Sequence, residues 1–448
     1  MMSQITAKAL KRSKDEQDMN YQEALNYIAS INWKGSVPGL ERIRELLDKM
    51  GNPQDGLRFI HVGGTNGKGS VCAFLSSILV QAGYKTGLFI SPYIEVFNER
   101  MQINNNNISD EELAEITTYV RPFADSMTDA PTEFELNTAI AMEYFSRHEC
   151  DVVILEVGMG GELDSTNIIK SPLLTIITAI SLDHTEYLGD TIEKIAKTKS
   201  GIIKPGTKTV VYKQAQSVID VISERCDAVG ADLFISEPET VEFQSANVDR
   251  QLIYHPDFGS LAIMLLGRYQ TENIAVVIKA VQVLRTIGFS ITNGNVAKGL
   301  ESTRWPGRFE VIMHEPIFIV DGAHNPQGAR ATAQSIRSVF QDEKLIMIFG
   351  VLADKDYIDM IQSILPMSKE ILTVTPDSPR ALSAERTANV IKSISAGQMK
   401  VTAYESIGDA IEAAFAKAGT TVPICAVGSL YMVGDIKKYV SERGRKDH

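Results

Sequence analysis

The stretch Val62-Gly63-Gly64-Thr65-Asn66-Gly67-Lys68-Gly69-Ser70 follows an apolar run at 57–62 and precedes a second apolar-rich stretch at 70–81. It reads as a strand, a glycine turn and an amphipathic helix. Such a turn can wrap a polyphosphate. Successive backbone amides and the helix N-terminus point at the anion, and a lysine reaches the outer phosphates. Glycine is needed where a side chain would block the close approach of the backbone. The ordinary phosphate-loop pattern G-x-x-x-x-G-K-[ST] would require glycine at Val62 and a hydroxyl at Gly69, and the chain has neither. Its hydroxyl comes one residue late, at Ser70. The loop residues Thr65, Asn66, Gly67, Lys68, Gly69 and Ser70 are the candidate phosphate ligands.

Composition places this loop in a soluble enzyme-sized chain. At 448 residues, two or three domains are expected. The content is 44% hydrophobic and 22% charged, and the net charge of -12 comes without a long basic tract. That argues against a nucleic-acid or anionic-membrane partner. Cys72, Cys150, Cys226 and Cys425 lie far apart, with neither metal-ligand nor disulfide spacing. A reduced, cytoplasmic setting is expected. Residues 1–20 are polar and mixed in charge, an extension rather than a signal peptide or a membrane anchor.

Apolar runs alternate with helical patterns along most of the chain. Strands are expected at 58–62, 86–90, 152–157, 173–180, 209–212 and 232–235, with helices at 111–120, 136–147, 192–197 and 215–229 between them. Continuous apolar strands joined by helical crossovers imply a parallel sheet covered on both faces. A polar, β-leaning stretch at 240–266 and a helix at 271–287 follow. Ser302-Thr303-Arg304-Trp305-Pro306-Gly307-Arg308 then punctuates the chain before a second alternation. The expected division is an extension at 1–20, a nucleotide-binding domain at 21–302, a linker at 303–308 and a second α/β domain at 309–448.

Polar residues recur at or just beyond the carboxyl ends of the expected strands: Ser91, Glu156, Asp183-His184, Lys199 and Asp321-Gly322-Ala323-His324. Open parallel sheets bind their ligands there. Taken singly, Glu156 reads as well as a salt-bridged strand end, Ser91 as a turn residue before Pro92, and Lys199 as an exposed helix-end lysine. Trp33 and Trp305 read as packing residues. Together, GTNGKGS, SPYIEVFNER, LEVGMGGELDSTN, SLDHTEYLG, KSGIIKPG, WPGR and DGAHNP resemble the folylpolyglutamate synthase/dihydrofolate synthase family of the Mur ligase superfamily. The resemblance runs from about Trp33 to the C-terminus, including Gly428-Ser429-Leu430-Tyr431.

The resemblance implies an N-terminal domain like a P-loop NTPase and a Rossmann-like C-terminal domain. It implies an ATP-dependent amide ligase that activates a folate carboxylate as an acyl phosphate and transfers it to the amine of L-glutamate. By the same resemblance, Lys68 and its loop take the phosphates, and Asn273, Arg308, Asp321 and His324 contact the nucleotide. Ser91, Glu156 and His184 hold two Mg²⁺ ions, and Lys68, His184 and Lys199 form the catalytic group. Thr132, Phe134 and Glu135 contact the pterin. Lys199 stands where the family carries a carbamylated lysine. Thr198-Lys199-Ser200 departs from the family's Glu-Lys-Ala, which leaves the modification open, and Leu136-Asn137-Thr138 departs beside the pterin loop. The expected partners are ATP, L-glutamate and a folate or dihydropteroate, acted on by a monomer. A bifunctional enzyme is favoured over a monofunctional folylpolyglutamate synthase. A Mur ligase acting on a UDP-sugar peptide would need an extra N-terminal domain, and a regulatory nucleotide-binding module would not need the metal and transfer residues.

Overall fold

In the computed structural model, residues 18–31, 37–183 and 185–446 are described. Among them, strands assemble into sheets of eight, three and six. The eight-stranded sheet runs Asn106–Asn107, Met101–Ile103, Thr86–Phe89, Val152–Glu156, Phe59–Gly63, Leu174–Ile177, Lys208–Val211 and Asp232–Ile235. From Thr86–Phe89 onward every pairing is parallel, and Met101–Ile103 and Asn106–Asn107 extend the sheet as antiparallel strands. Phe59–Gly63 sits inside the sheet with all of its residues buried. Ile60 and Val62 pack into the apolar cluster on one face, and Phe59 into the cluster on the other. This two-sided burial is why the strand is a continuous apolar run and shows no period-two alternation.

The helix after the loop, Lys68–Gln81, differs from the amphipathic expectation, because eleven of its fourteen residues are buried. Helices Gln270–Thr286 and Asn293–Ser302 cover the side that the sheet leaves open. Gly299 permits the closest approach, since a Cβ there would stand 2.6 Å from Ile78 Cα. A helix enclosed all round has no solvated face to carry polar residues. The stretch at 240–266 becomes an antiparallel sheet of Glu242–Ala246, Gln251–His255 and Gly259–Ile263.

The six-stranded sheet runs Glu310–His314, Ile317–Asp321, Ile424–Val427, Leu345–Phe349, Ser368–Thr373 and Val401–Ala403, parallel except at its first strand. Its two faces carry separate apolar clusters. Between helix Asn293–Ser302 and strand Glu310–His314 the chain crosses from one sheet system to the other. Phe309 is fully buried at this crossing, with a left-handed φ of 46°. Its amide donates to Asp321 Oδ2 at 3.1 Å, and Gly322 N donates to Gly307 O at 2.8 Å. The crossing is thereby tied to the end of a central strand. Trp305 packs against the first turn of helix Lys68–Gln81: a Cβ on Gly69 would meet its ring at 2.9 Å. Trp33 lies outside the described residues, as does nearly all of the 1–20 extension.

Candidate active site

The carboxyl ends of Phe59–Gly63, Val152–Glu156 and Ile317–Asp321 open on one cleft between the two large sheets. Gly64 and Gly67 shape its floor, with left-handed φ of 144° and 88°. A Cβ on Gly64 would run into the Thr178 side chain, and one on Gly67 would stand 2.5 Å from Asn273 Oδ1. Both positions therefore exclude any other residue. Helix Lys68–Gln81 begins at this point, so its first amides, from Lys68 to Ser70, have no acceptor within the helix and face the cleft.

Two of the loop's amides, those of Thr65 and Asn66, are engaged within the protein. Thr65 N and Asn66 N both donate to Ala179 O, at 2.8 and 3.1 Å. Thr65 Oγ1 exchanges hydrogen bonds with the Ser181 backbone. The Asn66 amide reaches across to Gln327 Oε1 at 2.5 Å and accepts from Asn325 Nδ2 at 3.2 Å, joining the two sheet systems. The phosphate seat thus narrows to the turn of helix around Gly67–Ser70 and to Lys68, whose Nζ rests on Thr65 O at 3.3 Å. Ser70 lines the cleft as well, and its hydroxyl accepts from Gln270 Nε2 at 3.3 Å. Asn273 donates to the same Gln270 at 2.8 Å and keeps its oxygen against Gly67.

Glu156 ends its strand only 6% exposed. Burial raises its pKa, while Lys68, the Ser91 amide and Arg308 act in the opposite direction. Ser91 N donates to Glu156 Oε2 at 3.3 Å. A buried carboxylate with one long hydrogen bond and a neighbouring hydroxyl is an oxygen donor set that suits Mg²⁺, whose remaining positions water and phosphate oxygens would fill. Glu156 and Ser91 would hold the ion, which would screen phosphate charge. No group of three or more His, Cys, Asp or Glu side chains stands ready to hold a metal among the described residues. His184, expected to hold a second ion and to share in catalysis, lies outside them.

Lys199 is 4% exposed and donates to Gly64 O at 2.8 Å. Burial lowers its pKa to about 7; Lys68 pushes the same way, and Asp183 and Asp164 oppose. The exposed helix-end alternative is thereby ruled out. Gly161 packs against the Lys199 backbone, where a Cβ would stand 2.9 Å from Lys199 Cα, so the glycine loop after Glu156 fixes this lysine's position. Across the cleft, Asp321 accepts from Phe309 N and from Ala323 N at 2.8 Å, and burial lifts its pKa to about 6 against the pull of Arg308. His324 bonds Gly322 O through Nδ1 at 2.9 Å, and its Nε2 lies 4.0 Å from Asp183. Burial lowers its pKa, leaving a neutral ring at pH 7.

A second hollow adjoins the first and shares Ser91, Gly158, Met159 and Gly160 with it. Thr132 and Phe134 line it. Thr132 caps helix Glu133–Arg147, and Phe134 lies over Gly158, where a Cβ would stand 2.6 Å from the ring. Glu135 is absent from the lining. Its carboxylate accepts from Thr132 N at 2.7 Å and takes Arg42 through both oxygens at 3.0 Å, a structural capping role. Sequence reasoning gave no role to Lys355, which ion-pairs with Asp183 at 2.7 Å across the cleft, or to Gln327. Neither belongs to a recognisable motif, and the only available signal was their place shortly after apolar strands.

The Mur ligase middle domain matches residues 62–281, and the Mur ligase glutamate ligase domain matches residues 307–430. The dihydrofolate synthase/folylpolyglutamate synthase of Bacillus subtilis is 34% identical over 430 residues, covering 93% of this chain and 98% of that protein. The chain belongs to the folylpolyglutamate synthase/dihydrofolate synthase family of Mur ligases. Mycobacterium tuberculosis folylpolyglutamate synthase complexed with ADP and AMPPCP matches with a TM-score of 0.85 and 28% identity, over 94% of this chain and 98% of that one. E. coli FolC in complex with DHPP and ADP matches with a TM-score of 0.83 and 26% identity, over 95% and 99%. Both domains of the family, and the cleft between them, are therefore present in this chain. No helix among the described residues is long and apolar enough to cross a membrane.

Proposed function

We propose that this family member is an ATP-dependent ligase that adds L-glutamate to folates and to dihydropteroate, with ADP and phosphate as the other products. The observation that carries the reading is the shared wall of the two hollows. Ser91 and Gly158–Gly160 border both the phosphate seat at Lys68 and the hollow of Thr132 and Phe134. An acceptor seated beneath Phe134 would bring its carboxylate to the γ-phosphate at that wall.

In the first step a carboxylate oxygen attacks the γ-phosphorus and ADP departs. In the second the glutamate amine attacks the resulting acyl phosphate, and phosphate departs with the carboxylate oxygen. Lys68 and the helix N-terminus stabilise the charge that develops on the transferred group. Asn66, Gln327, Asp183 and Lys355 hold the two domains together over the cleft, which keeps water from the acyl phosphate. Asn273, Arg308, Asp321 and His324 line the nucleotide side of the cleft. Lys199, whose lowered pKa of about 7 leaves about half of its amine unprotonated at pH 7, has the nucleophilicity that carbamylation requires, and we assign it that modification. We keep the division into 21–302, a linker at 303–308 and 309–448, and we place the protein in the cytoplasm, in keeping with its four buried, unpaired cysteines.

The test is phosphate release from ATP, Mg²⁺ and L-glutamate with tetrahydrofolate or with dihydropteroate as acceptor. Release with both acceptors, absent when either glutamate or acceptor is left out, is expected. Release with tetrahydrofolate alone would reduce the enzyme to a folylpolyglutamate synthase, and release with neither would overturn the reading.

A further inference from the structure

Arg100 closes the 3-10 turn Phe97–Arg100, just before strand Met101–Ile103, and lines the acceptor hollow. It is 9% exposed, yet its Nε and Nη1 are fully buried without a hydrogen-bond partner. The guanidinium lies over Tyr93 at 5.2 Å and Phe97 at 5.5 Å. These rings hold the plane of the group but satisfy none of its five N–H donors. Glu133 lies near enough to act on Arg100 electrostatically, yet the two form no ion pair. A buried guanidinium left this way is costly, and an anion placed in the hollow would remove the cost.

Position narrows the choice of anion. Arg100 shares the hollow with Thr132, Phe134 and Ser91, and it does not line the phosphate cleft. It also borders an outer groove that contains Tyr431 and Arg380. An acceptor seated on Phe134 with its reacting carboxylate at Ser91 would carry its remaining carboxylate past this point. Dihydropteroate has one carboxylate, which reacts. A glutamylated folate has a second, the α-carboxylate of its terminal glutamyl residue.

We propose that Arg100 holds the α-carboxylate of the acceptor's terminal glutamyl residue and sets the preference between glutamylated and unglutamylated acceptors. This rests on the acceptor reading of the hollow given above. A planar fork suits the task, because it meets a carboxylate through two parallel hydrogen bonds, which lysine cannot do.

Equilibrium binding of dihydrofolate and dihydropteroate, two ligands that differ only by the glutamyl residue, tests the assignment in the full chain. In Arg100→Met, the ratio of the dihydrofolate Kd to the dihydropteroate Kd is expected to rise about 10- to 100-fold, the loss typical of a charge-assisted hydrogen bond. Arg100→Lys should recover part of that rise, and it serves in place of Arg100→Met should the latter fail to fold by thermal unfolding. A ratio unchanged in both variants, or a parallel loss of both affinities, would overturn the proposal and make Arg100 structural. So would an effect confined to the KM for L-glutamate, which would give the anion to the incoming amino acid. Wild-type protein that binds neither ligand would overturn the acceptor reading itself.

Discussion

Lys199 shows what a single residue contributes and what its sequence context conceals. Written as Thr-Lys-Ser near the end of a helix it looks solvated, but the glycine loop after Glu156 draws it under the cleft floor. Its pKa, about 7 in the folded protein, lies below the usual lysine value. Between the two values the unfolded chain holds a proton that the folded one lacks, so this group's contribution to stability rises with pH from about 7 upward and is lowest below it. In CO₂-free buffer, the unfolding free energy of the wild type minus that of Lys199→Met should therefore rise by roughly 1.4 kcal/mol per pH unit above pH 7. Denaturant titrations at pH 6, 7, 8 and 9 measure it, and a flat difference would contradict the buried, depressed lysine. Ser91, Glu156 and Asp321 could be placed at the cleft because each interrupts or ends an apolar run with a polar group, and Lys68 because it stands in a glycine turn between a strand and a helix. Arg100 closes the quoted SPYIEVFNER segment, yet its role was not legible there, because its meaning lies in the hydrogen-bond partners that Nε and Nη1 lack. Glu135 was assigned to the pterin by resemblance alone, and no local pattern showed that its carboxylate is taken by Thr132 N and Arg42.

The phosphate seat is an element made from a loop and a helix start, and its glycines are not equivalent. Gly67 combines a left-handed backbone with Asn273 pressed against it, whereas Gly51 has a similar φ of 83° with nothing within 4 Å. Alanine at either position incurs backbone strain of about 1–3 kcal/mol. Gly67→Ala must also displace Asn273 and the first helical turn. It is expected to lose more stability than Gly51→Ala, and to weaken ADP binding where Gly51→Ala does not. Calorimetric titration of both variants with ADP measures this, and equal affinities would show that the loop shape is not required by the nucleotide. Elements of the parallel sheets were readable because both faces are buried and their runs are continuous. The antiparallel strands Met101–Ile103 and Glu310–His314 were not, since the first has only three residues and the second is half exposed along most of its length. The missed helix Asn293–Ser302 carries two glycines, one of them needed for contact with Ile78, and so breaks the helical pattern that its packing sustains.

At the scale of the molecule, function depends on two sheets facing each other across a crossing of a few residues. Asp321 binds the Phe309 amide on that crossing and borders the nucleotide side of the cleft. Asn66 and Asp183 from one domain meet Gln327 and Lys355 from the other. The two-domain plan was legible from the restart of strand–helix alternation after Arg308, but these pairings were not, because they join residues far apart in the chain. What the closed cleft accomplishes is transfer of a phosphoryl group to a carboxylate, with the phosphate leaving again when the amine attacks. Dihydropteroate labelled with ¹⁸O in its carboxylate follows that oxygen directly. After complete turnover with ATP and L-glutamate, one ¹⁸O atom is expected in each phosphate released. Phosphate without the label, its oxygen drawn from water, would contradict the acyl-phosphate ligase and leave an ATP hydrolase in its place.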